Sequence, residues 1–317
     1  MADAGENPVV ASAVRGGDVG VVAGAWPVVR GPRAESPGTQ ALRRLRRNKT
    51  ALVGAVIVAV LLVVAAGADV IAPQSPIESD QTQTFQRPSW AHPLGTDQLG
   101  RDMLSRIIHG TRISLAVGVS SVLLALLVGV PLGLVAGYYG GGVDNAIMRA
   151  MDLILAFPIY LLAIILMVIF APTAGILGTI KVTGAIAIVR IPIYARLVRG
   201  SVLSIKEKEY VEACRALGVR DPWIIGRHVL PNCLGPIIVT TTLGIATAII
   251  VEATLSFLGL GTQPPTPSWG WDLKANVAFI QSNAWLSLFP GLAIFVTVLG
   301  FNLFGDGLRD ALDPRMK

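Results

Sequence analysis

The residues best placed to do chemistry in this chain point to recognition rather than bond making. The segment from Ser204 to Asn232, SIKEKEYVEACRALGVRDPWIIGRHVLPN, is charged yet carries the punctuation of two short helices. Ser204 and Glu207 fit a capping box that starts the first. Tyr210, Ala213, Cys214 and Leu217 then recur at i, i+3, i+4 and i+7 as one apolar face, and Gly218 stands where a helix C′ residue belongs. Asp221 and Pro222 suit the N-cap and N1 of the second helix, and Pro231 is expected to end it. A face of this kind either lies on lipid headgroups or its own bundle, or enters a groove on a soluble partner. Three ionisable residues, Asp152, Arg190 and Glu252, sit inside or beside apolar runs. Charge at membrane depth is costly, so each is a candidate for helix pairing or for the path of a solute. An ion pair between Asp152 and Arg190 is the expected packing solution, while Glu252 faces either the pathway or a neighbouring subunit.

No catalytic constellation accompanies them. GxSxG, HExxH and the GxxxxGK[ST] phosphate loop are missing from the sequence, so no hydrolase site and no nucleotide site is expected in this chain. His92, His109 and His228 form no cluster, and Cys214 and Cys233 lie outside any metal-ligand spacing, so no metal site is expected either.

The elements that must position these residues follow from composition. The chain is 53% hydrophobic and 15% charged over 317 residues, with the charges gathered between long uncharged runs, which is a membrane composition. Only helices satisfy every backbone hydrogen bond inside a single segment in lipid, and a run of about 18 or more apolar residues crosses the ~30 Å core. RRLRRNKT, with five positive charges, precedes the apolar run from Ala51 to Ala68 and predicts a first span with its N-terminus inside. Further spans are predicted near 115–137, 153–171, 178–197, 233–254 and 284–304, giving six. Lys and Arg number 19 in the segments assigned to the cytoplasmic side and 6 in those assigned outside, which predicts that both termini are cytoplasmic.

The expected organisation is a disordered cytoplasmic tail over 1–42, a first span and outer loop over 43–112, a membrane core over 113–305 containing the 204–232 loop, and a cytoplasmic tail over 306–317. In the outer loop, Leu99, Met103, Leu104, Ile107 and Ile108 have helical spacing opposite Arg101, Asp102 and Arg106, as in a helix lying in the interface or meeting a partner. Trp269 and Trp271 in TQPPTPSWGW could anchor a second outer loop at the headgroups. Gly118, Gly129, Gly133 and Gly137 allow close helix packing in lipid. Both ends of the 204–232 loop are tethered close to the bilayer, so lipid and protein are the expected partners and nucleic acid is not.

EACRALG followed by HVLPN resembles the "EAA" signature of bacterial importer permeases: Glu212, Ala213, Gly218, Leu230 and Pro231 match at full spacing, with Cys214 and His228 as departures. HPLGTDQLGRDMLSRIIHGTRISL, AGYYGGGVDNAIMRAMDLILAFP, LSFLGLGTQPPTPSWG and GDGLRDALDP narrow the resemblance to the C-type permease of dipeptide and oligopeptide ABC transporters, over nearly the whole chain after Arg43. The resemblance implies an all-α integral membrane protein with the type I importer permease fold. It implies that Tyr210, Glu212, Ala213, Cys214, Leu217 and Gly218 form a coupling helix seated in an ATPase subunit, with Glu212 facing a basic group. The implied partners are a second permease, two ATP-binding subunits that hold ATP and Mg, and an external substrate-binding protein. The implied setting is the bacterial inner membrane, and the implied solute is a di- or oligopeptide, with glutathione or nickel as alternatives. An ion-coupled secondary transporter is the competing class; no internal repeat supports it.

Overall fold

A computed structural model describes residues 43–312; the tail expected over 1–42 and the final residues 313–317 lie outside the described residues. Among the described residues, the regular elements are helices. The first, α1 (Lys49–Ala66), begins where the Asn48 side chain accepts the Ala51 N–H at 3.2 Å, directly after the basic cluster.

The second helix, α2 (Met103–Tyr139), is longer than predicted. Its N-cap is Asp102, whose carboxylate accepts the Ser105 N–H at 2.8 Å, and it runs unbroken through the segment expected to form a separate outer helix. The polar face assigned to solvent is instead buried, because Arg101, Asp102 and Arg106 each find charged or polar partners. An interfacial helix is therefore not what this sequence makes.

The predicted third span is broken. α3 (Gly141–Leu155) and α4 (Ile159–Phe170) meet at an angle of 86°. Pro158 lacks an N–H for a continuing helix and disfavours helical backbone at Phe157, which accounts for the break. Alone, the 12 residues of α4 rise only about 18 Å, too little for a ~30 Å core. Among the described residues, five helices are long and apolar enough to cross singly, and this pair taken as one makes six.

α5 (Gly175–Ile205) continues through Pro192 and past the predicted end of the fourth span. Beyond a short helix, α6 (Glu209–Ala216), the chain turns and becomes helical again at Asp221. It does not stop at Pro231: a π-helical stretch at Ile225–Val229 leads into α7 (Leu230–Phe257). The widened turn lies just before Pro231, which has no N–H to give to the Arg227 carbonyl. α8 (Trp269–Asn276) and α9 (Trp285–Leu312) complete the chain.

Small residues bring these helices together. Gly129, Gly133 and Gly137 lie along the α2–α5 contact, and a Cβ at Gly133 would stand 2.5 Å from the Ala195 carbonyl oxygen. α1 packs along α9, and α7 contacts α2, α5 and α9. One core joins Val117, Met167, Ile186, Tyr194 and Leu255 from four helices. A second, at the 204–232 end, joins Tyr138, Val202, Val211, Ile224 and Cys233.

Candidate functional site

The 204–232 loop is held by one anchor helix and by its own turn chemistry. Ser204 does not cap it, because α5 runs on to Ile205 and the N-cap of α6 is Lys208, with no side-chain hydrogen bond. Glu209 and Glu212 instead lie in the first turn of α6, where carboxylates suit the helix dipole. The other end follows the sequence reading. Gly218 adopts φ 73° at C′; its N–H reaches the Arg215 carbonyl at 2.9 Å, and the Val219 N–H reaches that of Cys214 at 3.1 Å. That is a Schellman motif, which satisfies two carbonyls at the helix end.

The predicted apolar face divides in two. Val211 is buried and Cys214 half-buried against the bundle, so these two dock the helix on its own chain. Tyr210 is 40% exposed, Leu217 83% exposed, and Ala213 also faces outward, as does Glu212. Trp223, in the short helical turn that begins at Asp221, is also 62% exposed. The sequence reading passed over Trp223, since its position after Asp221 and Pro222 gives no signal of which way it faces. Asp221 itself lies one residue inside the helix start, with Arg220 at the N-cap.

Tyr138, at the end of α2, fixes the loop from below. Its hydroxyl donates to Asp221 Oδ1 at 2.7 Å and accepts from Arg215 Nε at 3.4 Å, while the Arg215 guanidinium lies 4.8 Å over the ring. Lys206 Nζ donates to the Gly137 carbonyl at 3.0 Å. The arrangement presents large apolar side chains on a braced turn, a geometry suited to entering a groove and transmitting a push to α2 and α7.

The intramembrane charges are rearranged relative to expectation. Asp152 pairs with Arg196 at 2.5 Å, not with Arg190, and both partners are about half exposed. Arg199 pairs with Asp144 at 2.5 Å. Arg190 is 7% exposed and donates from Nη1 to Thr247 Oγ1 at 2.8 Å. Glu252 is fully buried within the chain, accepting from Ser256 at 2.7 Å, Ser268 at 3.1 Å and Ser114 at 3.2 Å. It therefore opens neither to a path nor to a neighbour in this conformation.

At the opposite end, Arg106 and Asp272 are each about 1% exposed and form a two-pronged pair, with Arg106 Nε to Asp272 Oδ1 at 2.8 Å. Arg106 Nη1 also donates to the Pro76 carbonyl at 2.9 Å. Trp269 is buried rather than interfacial, its indole N–H donating to the Ile107 carbonyl at 3.0 Å. His92 contacts Asp102 at 3.0 Å and Gln83 at 2.8 Å. Among the described residues, no group of three His, Cys, Asp or Glu could hold a metal.

Comparison with known proteins agrees with this architecture. Residues 129–317 match the family described as "Binding-protein-dependent transport system inner membrane component", and residues 36–88 match the N-terminal TM domain of oligopeptide transport permease C. The dipeptide transport system permease protein DppC of Alkalihalophilus pseudofirmus is 47% identical, over 90% of this chain and 92% of the relative. The glutathione transport system permease protein GsiD of Pectobacterium atrosepticum is 44% identical, over 92% and 95%. A di/tripeptide transport system permease protein of Pseudomonas aeruginosa is 43% identical, over 89% and 93%. Among solved structures, the MetNI methionine ABC transporter in an inward-facing conformation superposes with a TM-score of 0.54 at 19% identity, over 67% of this chain and 98% of that one. That likeness concerns the fold.

Proposed function

Because this chain belongs to the family of binding-protein-dependent inner membrane transport components, and is thus a permease subunit of an ABC importer, we propose that it carries di- or oligopeptides by alternating access. A second, related permease supplies the other wall of the path, and two ATP-binding subunits hold the ATP and Mg that drive it. An external binding protein delivers the solute. The chain is a multi-pass membrane protein; its proposed location is the bacterial inner membrane with both ends cytoplasmic, supported by 19 Lys and Arg against 6 on the two sides.

The observation that carries the coupling role is the exposure of Tyr210, Ala213 and Leu217 on a turn braced by Tyr138. Water is a poor neighbour for such a surface, and a groove in an ATPase subunit would cover it. Glu212 beside it suits a basic partner group, and Ala213 and Gly218 let the turn approach closely. Glutathione is the second reading, favoured by the 44% identical relatives.

Affinity purification of the tagged chain in mild detergent, with mass spectrometry and an ATPase assay on the complex, tests the proposal. The expected result is a second permease and P-loop ATPases whose hydrolysis responds to a liganded binding protein. A chain that purifies alone, stable and without nucleotide hydrolysis, overturns it.

A further inference from the structure

Arg190 is a buried charge that meets no carboxylate among the described residues. A guanidinium offers five N–H donors. Here one of them meets a neutral hydroxyl, that of Thr247 at 2.8 Å, while Nε has no protein acceptor and no carboxylate lies within ion-pair distance among the described residues. Two neighbouring arginines on the same helix, Arg196 and Arg199, each hold a carboxylate, so pairing is the local habit that Arg190 breaks.

The position of Arg190 sharpens the contrast. It lies 15 residues from each end of α5, about 22 Å from either end and near the middle of that helix. Opposite it, Gly244 of α7 has no side chain, and a Cβ there would stand 2.5 Å from the Tyr194 hydroxyl and 2.7 Å from Arg190 Nη2. Both polar groups therefore occupy space that any other residue would fill. The Tyr194 hydroxyl stands beside the guanidinium and interacts with it and with Thr241, while Arg190 Nε has no acceptor. A charged guanidinium and a phenol hydroxyl thus stand together inside the bundle with no carboxylate between them.

We propose that Arg190, with Thr247 and Tyr194 beside it, is a transient binding site for the carboxylate of the transported solute. The inference rests on the importer reading above and deepens it by naming the group recognised. Peptides and glutathione share a free carboxylate, and a guanidinium fork matches carboxylate geometry. Transport also demands a site that releases what it binds. Neutral hydroxyls, those of Thr247 and Tyr194, orient the guanidinium without neutralising it, whereas a resident Asp or Glu would occupy the fork permanently. The group is shielded in this conformation, so the solute would meet it as α5 and α7 part.

The test uses the whole transporter with its binding protein in proteoliposomes, supplied with ATP and either dialanine or dialanine amide. Delivery by the binding protein is the same for wild type and variant, so the ratio of acid to amide uptake isolates the pathway. Arg190→Gln is expected to lower dialanine uptake about tenfold while changing amide uptake less than twofold. Equal loss for both, or loss for neither, overturns the site. An Arg190→Gln chain that reaches the membrane but no longer binds the second permease assigns the guanidinium to a protein carboxylate and also overturns it. Should Arg190→Gln fail to accumulate, Thr247→Val serves instead: an acid-selective loss of about threefold supports the site, and an equal loss of acid and amide removes it. Wild-type complex that imports neither dialanine nor glutathione with ATP removes the small-peptide reading on which the site rests, a result distinct from all of these.

Discussion

The two ends of the helical bundle treat charge in opposite ways. Where α2 begins and α8 packs, charged side chains turn inward: Arg106 with Asp272, Arg101 with Asp97, His92 with Asp102, and Glu252 among three serines. Where α5 gives way to α6, Glu209, Glu212 and Arg220 turn outward, and the large apolar residues Leu217 and Trp223 turn outward with them. Buried networks of the first kind hold one geometry, since every displaced member leaves an unpaired group in low dielectric. An exposed apolar turn of the second kind holds no geometry beyond itself and is completed by what it touches. The first end is built as a fixed platform and the second as a contact surface.

The largest expected effect breaks the platform. Arg106→Ala leaves the Asp272 carboxylate buried without its partner, a loss of about 3–5 kcal/mol in comparable buried pairs. Thermal unfolding followed by size exclusion in detergent should show a sharply lower midpoint and little assembled transporter. If Arg106→Ala unfolds no earlier than a substitution on the exposed turn, the contrast between the two ends fails. Asp272→Asn tests the same pair from the other side, keeping shape while removing charge, and should be milder.

Much of the architecture was legible in the sequence, and the failures share a cause. The span after RRLRRNKT, the close-packing glycines of α2 and the C′ role of Gly218 all follow from local pattern, because period, capping and backbone conformation are local properties. Partners across the fold are not. Arg106 and Asp272 are 166 residues apart, and Glu252 collects hydroxyls from α2, α7 and the residue before α8. Periodicity marked Arg101 and Arg106 as a polar face and could not tell a solvated face from a paired one. The Asp152–Arg190 pairing failed on position along α5: Asp152 meets Arg196, six residues further toward the 204–232 end. Of the exposed turn, the sequence marked Tyr210, Ala213 and Leu217 but not that Val211 rather than these would be buried. Trp223 entered only once the turn was built.

The second effect sharpens the contact surface. Leu217 is 83% exposed, so Leu217→Asp should leave the unfolding free energy of the chain within about 0.5 kcal/mol of wild type. Binding to the ATPase subunits should fall about tenfold, since a carboxylate would be desolvated where an apolar anchor belongs. Titration of purified ATPase subunits onto the permease pair in nanodiscs measures this. A variant that loses stability instead would make Leu217 part of the bundle, against its exposure.

The smallest effect tests the joint between the two regions. Tyr138 belongs to α2, whose other end lies in the platform, and its hydroxyl is the main polar link to the turn through Asp221 and Arg215. Tyr138→Phe keeps the ring beneath the Arg215 guanidinium and removes only that hydroxyl, a loss of about 1 kcal/mol. The turn should then still bind the ATPase with wild-type affinity but move more independently of α2. ATP hydrolysed per solute imported should rise about twofold, while the unfolding midpoint changes little. If the ratio is unchanged, α2 does not carry the motion, and the remaining route is the continuous helical path from Asp221 into α7, which passes through the π-helical stretch beside Pro231.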